Sequence, residues 1–196
     1  MRHFVIHDSN FFFQRFGPAL GQSYRSRTFS PIGRLIEQVE SQMSAFADRY
    51  RLTDDEWPMV LACREHAFSR SLWRHYAGEL LLHAAADAPS FPLAPDLLEK
   101  FLPPSLVARI HRGSRDVVFD GIVYRPGMAG LHDQSDVVRL ATELAAIDPG
   151  AWTVEAIESS DDPAEELAFA RQGFADLRAM IESAHLQDRV IVCEEI

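Results

Sequence analysis

The chain has 196 residues, of which 47% are apolar and 24% charged, and it carries a formal net charge of −10. A chain of this length can bury a self-sufficient core, so one compact domain over 1–196 is expected. No apolar run approaches the roughly 18 residues that a bilayer-spanning helix needs. An acidic balance also disfavours a protein that grips phosphate backbones, which requires a basic footprint, so neither membrane nor nucleic acid is an expected partner.

The charge is unevenly placed. Residues 151–196 hold eleven acids against three arginines, a balance of −8, whereas residues 1–150 hold 18 acids against 16 lysines and arginines. The first 34 residues lean the other way, with Arg2, Arg15, Arg25, Arg27 and Arg34 against Asp8. Both cysteines, Cys63 and Cys193, sit inside apolar patterns and read as buried free thiols, as in a reducing cytoplasm. The segment Met1 to Phe16 lacks a small-residue cleavage site and carries His3, His7 and Asp8, so it does not read as a secretory leader.

In chain order, His3–His7 reads as an opening strand. Phe11, Phe12, Phe13 and Phe16 are too dense in aromatics to stay exposed. Gly17, Pro18 and Gly21 mark irregular chain up to Phe29. Ser30 and Pro31 give a cap and a first helical position ahead of the stripe Ile32, Leu35, Ile36, Val39, Met43, Phe46 and Tyr50. Asp54, Asp55 and Glu56 form a second capping cluster, with a helix expected from Asp55 to about Phe68, and another helix is expected over Leu72–Ala86. Five prolines between Ala88 and Pro104 mark the best connection between sub-regions, a helical part over 1–104 and a second part over 105–196. A helical turn or two is expected at Asp96–Leu102, and one more short helix over Ser105–His111.

The clearest sheet signal follows. Val117–Phe119 and Ile122–Tyr124 flank Asp120–Gly121, the dipeptide that a tight hairpin turn demands. Asp133 then caps a helix carrying Val137, Leu140, Leu144 and Ile147, with Asp136 at the third helical position and Asp148–Pro149–Gly150 ending it. Asp162 and Pro163 start the longest helix, in which Leu167, Ala170, Phe174, Leu177, Ile181 and Ala184 recur at spacings of three and four. Val190–Cys193 reads as a buried terminal strand. The expected fold is mixed α/β and predominantly helical. Its small sheet is built from the hairpin at 117–124 and the strand at 190–193, and the strand at 3–7 is a candidate third member.

The residues carry no catalytic signature. No His-Glu-x-x-His, paired Cys-x-x-Cys, Gly-x-Ser-x-Gly or Gly-Lys-Ser/Thr occurs, and neither cysteine has a neighbour that would make it a reactive thiolate. No metal or cofactor is therefore expected. The segment from Tyr124 to Gly130 reads as a tight strand-to-helix crossover. Its functional alternative is a ligand-contacting loop in which Tyr124 and Arg125 face a helix N-terminus.

The run Gly121-Ile-Val-Tyr-Arg-Pro-Gly-Met-Ala-Gly-Leu, the capped helix from Asp133, the pair Asp161–Asp162, the long helix and the terminal strand together resemble the YfbM-like family of small bacterial proteins. The resemblance covers about residues 117–196. It implies a mixed α/β domain and supplies no catalytic residues.

The leading expectation is a cytoplasmic, non-enzymatic binding protein with a basic protein partner, of the kind that an immunity protein makes with a toxin such as a nuclease. The candidate contacts are Asp54, Asp55, Glu56, Asp161, Asp162, Glu165, Glu166, Glu194 and Glu195. Asp55 and Asp162 are the acids best placed to serve as helix caps instead. The alternative is a small-molecule binder or enzyme with a pocket near the Arg125 loop. The oligomeric state is left open.

Overall fold

The computed structural model describes residues 1–26, 28, 31, 32, 35, 85, 86, 90, 92–119, 121–123, 129–157 and 160–194. Nearly all of the helices expected between 30 and 86 lie outside these residues, as do Cys63, Asp54, Asp55 and Glu56. The described elements are β1 (Arg2–Ile6), a π-helical turn (Phe11–Phe16), α1 (Gly17–Ser26), α2 (Pro95–Leu98), α3 (Pro104–Arg112), β2 (Arg115–Asp116), β3 (Val118–Phe119), β4 (Ile122–Val123), β5 (Ala129–His132), α4 (Gln134–Ala145), two 3-10 turns (Pro149–Ala151, Val154–Ile157), α5 (Pro163–Leu186) and β6 (Val190–Glu194). The fold is mixed α/β, as the sequence pattern leads one to expect. The chain forms two compact units: one comprises Met1–His3, Ser90–Arg115 and Gly127–Ile196, the other Phe4–Pro89 and Asp116–Pro126.

The first unit is organised by α5. The six positions picked out by apolar spacing, Leu167, Ala170, Phe174, Leu177, Ile181 and Ala184, are its buried residues. Asp162 caps it, its carboxylate accepting from the Glu165 N–H at 3.1 Å, and Pro163 takes the first helical position, where its missing N–H costs no intrahelical bond. Phe174 anchors the stripe. Its ring meets Trp152 edge-on at 5.1 Å, and Trp152 stacks on Phe101 at 4.4 Å. Arg171 holds the intervening turn by donating to the carbonyls of Pro149 (2.9 Å) and Trp152 (2.6 Å). Burial of a Phe174-sized side chain contributes about 2 kcal/mol.

Helix α4 begins with the expected capping box: Asp133 accepts from the Asp136 N–H at 2.9 Å, and the Asp136 carboxylate reaches back to the Asp133 N–H. Asp136 is only 3% exposed, and its charge is matched by Arg115 and Arg139, each at 2.8 Å. Burying a carboxylate is costly unless it is paired and hydrogen-bonded in this way.

The sheet differs from the expected one. The order is β1-β6-β5-β2, and the hairpin β3-β4 stands as a separate two-stranded sheet. The hairpin itself is as expected, with Val118 opposite Val123, Phe119 opposite Ile122, and Gly121 at φ +78°. The terminal strand instead pairs antiparallel with β5, Gly130 opposite Cys193 and Leu131 opposite Val192. The sequence reads as a strand-to-helix crossover from Tyr124 to Gly130, whereas Ala129–His132 form a strand, and glycine is a poor strand former. Gly130 is there for space: a Cβ on it would lie 1.7 Å from the carbonyl oxygen of Arg112 at the end of α3. Glycine inside a strand marks just such a close backbone approach.

In the second unit, Phe12, Phe16 and Phe119 are buried, and Phe119 meets the other two edge-on, 5.2 Å from Phe12 and 5.5 Å from Phe16. Gly17–Ser26 is helical rather than irregular. The π turn before it explains why glycine and proline do not break it. The Gly17 N–H reaches the Phe12 carbonyl, one residue beyond an α-helical bond, and this register change precedes Pro18, which has no N–H to place.

Candidate functional site

The start of α5 carries the acids that the sequence singles out. Asp161, Asp162 and Glu165 are exposed and Glu166 is half-buried. Their placement has a local cause. Carboxylates in a first turn offset the partial positive charge of the unpaired amides there, each contributing about 0.3–1 kcal/mol. The apolar stripe faces the core, so Glu165 is left on the outer face together with Phe169, Gln172 and Asp176, at spacings of four, three and four. Phe169 is 62% exposed. A single exposed apolar ring is ordinary on a protein surface. This one follows Glu165 by four residues and Glu166 by three, so both carboxylates are its helical neighbours. Sequence reasoning overlooked it, although a signal existed: Phe169 falls out of phase with Leu167, Ala170 and Phe174.

Glu194 corrects one expectation. It lies in β6 and is 1% exposed, with its Oε2 accepting from Arg2 Nη2 at 3.0 Å and from Nε at 3.2 Å. A short strand covered on both faces buries whatever side chain ends it, and the Arg2 guanidinium supplies the counter-charge. Glu194 therefore holds β1 against β6 and is withdrawn from the contact surface. Glu195, Tyr124 and Arg125 lie outside the described residues.

A second cluster lies inside the same unit. His3 on β1, His111 on α3 and His132 on β5 are each 2% exposed or less. The rings of His3 and His111 stand 6.4 Å apart. His132 Nδ1 is 3.0 Å from the Ser114 hydroxyl, while among the described residues its Nε2 and both nitrogens of His3 and His111 have no well-formed hydrogen bond. Burial pushes His3 down to about 3, and charge on His111 or His132 would push it the same way; the Ile110 backbone opposes this without a well-formed hydrogen bond. Burial likewise lowers His111 and His132, each to about 4, with Asp136 working against it at His132. All three imidazoles are therefore neutral at pH 7. Nearby, Cys193 is buried, its thiol 3.7 Å from the Ile110 carbonyl and pushed well above the usual thiol range by burial. Such a thiol is inert. Among the described residues, no three His, Cys, Asp or Glu side chains are placed to hold a metal ion.

A groove of about 340 Å³ runs along α4 and α5, lined by Ala141, Thr142, Ala145, Arg178, Glu182 and His185. Its charges are of both signs and it holds no nucleophile paired with a base, so its chemistry selects no reaction. Among the described residues, no helix is long and apolar enough to cross a membrane. Comparison with protein-family models, curated proteins and solved structures finds no match to this chain.

Proposed function

We propose that this protein acts in the cytoplasm by binding: it covers a basic protein partner through the outer face of the first turns of α5, in the manner of an immunity protein that neutralises a toxin such as a nuclease. The observation that carries this reading is the run of Asp161, Asp162, Glu165 and Glu166 leading into the exposed Phe169, on a 24-residue helix fixed by its buried stripe. Carboxylates steer a basic surface into encounter, and an aromatic ring that becomes desolvated on contact supplies affinity that rim charges do not. The face is preorganised, since α5 is already capped and packed, so little conformational entropy is lost on docking. An acidic face of this kind competes with nucleic-acid phosphates for a basic site. The absence of a catalytic motif in the sequence and the inert Cys193 thiol fit a protein that works by occupancy.

The test is a pull-down from the native host followed by association kinetics with the captured protein. Changing Asp161, Glu165 and Glu166 together to lysine slows association at least ten-fold at low salt, and the difference shrinks as salt is raised. A captured partner that is acidic, or one whose association ignores the reversal, removes the proposal.

A further inference from the structure

His3, His111 and His132 come from a strand, a helix and a second strand; the rings of His3 and His111 stand 6.4 Å apart, and His132 is near enough for its charge to act on His3. Among the described residues, five of their six ring nitrogens make no well-formed hydrogen bond, with the Ile110 and Arg109 backbones favouring the charged forms of His3 and His132 only in part, and buried polar atoms left so are rare in a core. Beside them the Arg2–Glu194 pair fastens the first residues of β1 to the end of β6. We propose that these three histidines form an acid-sensitive latch, in which protonation of the buried imidazoles opens the sheet of this unit at the start of β1.

The charged groups around the cluster favour this direction on balance. The amino terminus disfavours a charge on His3 and on His111; Arg109 and Arg139 disfavour one on His132, and Asp136 alone among the side chains favours it. Asp136 is already engaged by Arg115 and Arg139. Cys193, protonated, offers no counter-charge, and the Glu194 carboxylate is taken by Arg2. Among the described residues, a proton arriving on this cluster therefore meets no carboxylate that is not already engaged, and the charge is relieved by exposure to water.

The linkage has a definite sign. An imidazole held near 3 when closed and near its ordinary 6.5 when open binds more protons in the open state. The closed state is then fully favoured above about pH 6.5 and loses ground as the pH falls toward 3. At pH 5, His3 alone shifts the opening equilibrium about thirty-fold toward the open form, and His111 and His132 act in the same direction.

The experiment is amide hydrogen exchange of the full chain at pH 7 and pH 5, corrected for intrinsic exchange rates and read at β6. The latch predicts at least a thirty-fold rise in the β6 opening constant between the two, with the central amides of α5 changing less. His3→Leu, which removes the titrating ring and leaves an apolar side chain, keeps β6 protection at pH 7 and cuts the acid-induced rise by about thirty-fold. Equal opening at the two pH values, or a variant with an unaltered acid response, overturns the proposal. If His3→Leu does not fold, the imidazole resonances of the unmodified protein decide: neutral shifts in the folded state down to pH 5 support the latch, and titration near 6.5 without loss of structure overturns it.

Discussion

Glu165 and Glu194 lie on consecutive elements of one acidic segment and have opposite fates. Glu165 stands in water at the start of α5, held by nothing stronger than the partial charge of a helix end. Glu194 is sealed into β6 and bound twice by Arg2. In the sequence both are members of the same excess of acids. The difference teaches that net charge locates a surface only where the backbone period is known. On a helix the apolar stripe says which acids face out, whereas a terminal strand covered on both faces gives no such reading.

The contrast predicts graded effects. Glu194→Ala takes a doubly bound carboxylate away from the buried Arg2 guanidinium and lowers unfolding free energy by about 3–5 kcal/mol, measured by urea denaturation. Gly130→Ala attacks the strand pairing that encloses Glu194. The new Cβ meets the Arg112 carbonyl, and the expected loss is on the order of 3 kcal/mol, with β5–β6 amide protection falling first. Asp162→Ala removes the cap of α5 and costs about 1 kcal/mol, visible as fraying of its first turn by NMR. Phe169→Ser changes stability by no more than about 0.5 kcal/mol, since the ring is already in water, yet it weakens partner binding through faster dissociation. A variant of Phe169 that melts early instead would show that the ring is packed, and the two regions would then be less distinct.

How much was legible follows from the same physics. The six buried positions of α5, the caps Asp133 and Asp162 and the hairpin turn at Gly121 are all written in local spacing, and the structure has each of them. Strand β5 was not legible, because Gly130 is there for clearance beneath α3 and not for strand propensity. Helix α1 was hidden by Gly17 and Pro18, whose usual breaking effect is absorbed by the preceding π turn. Long-range convergence was the least visible. Nothing in the spacing of His3, His111 and His132 announces that three elements bring them together, nor that Arg2 closes on Glu194 from the far end of the chain. Of the candidate site, the acids at the start of α5 were legible, and the exposed ring among them was overlooked.

The central claim is that the outer face of α5 is a contact surface, and its most direct test is the association rate of the charge-reversed protein. Asp161→Lys, Glu165→Lys and Glu166→Lys each reverse a helix-end charge worth about 0.3–1 kcal/mol, and circular dichroism verifies that the variant stays folded. The account predicts that this protein associates with its basic partner at least ten-fold more slowly at low salt, and that the salt dependence of the rate flattens or reverses sign. An unchanged rate with an unchanged salt slope would mean that these carboxylates serve the helix and the solvent alone.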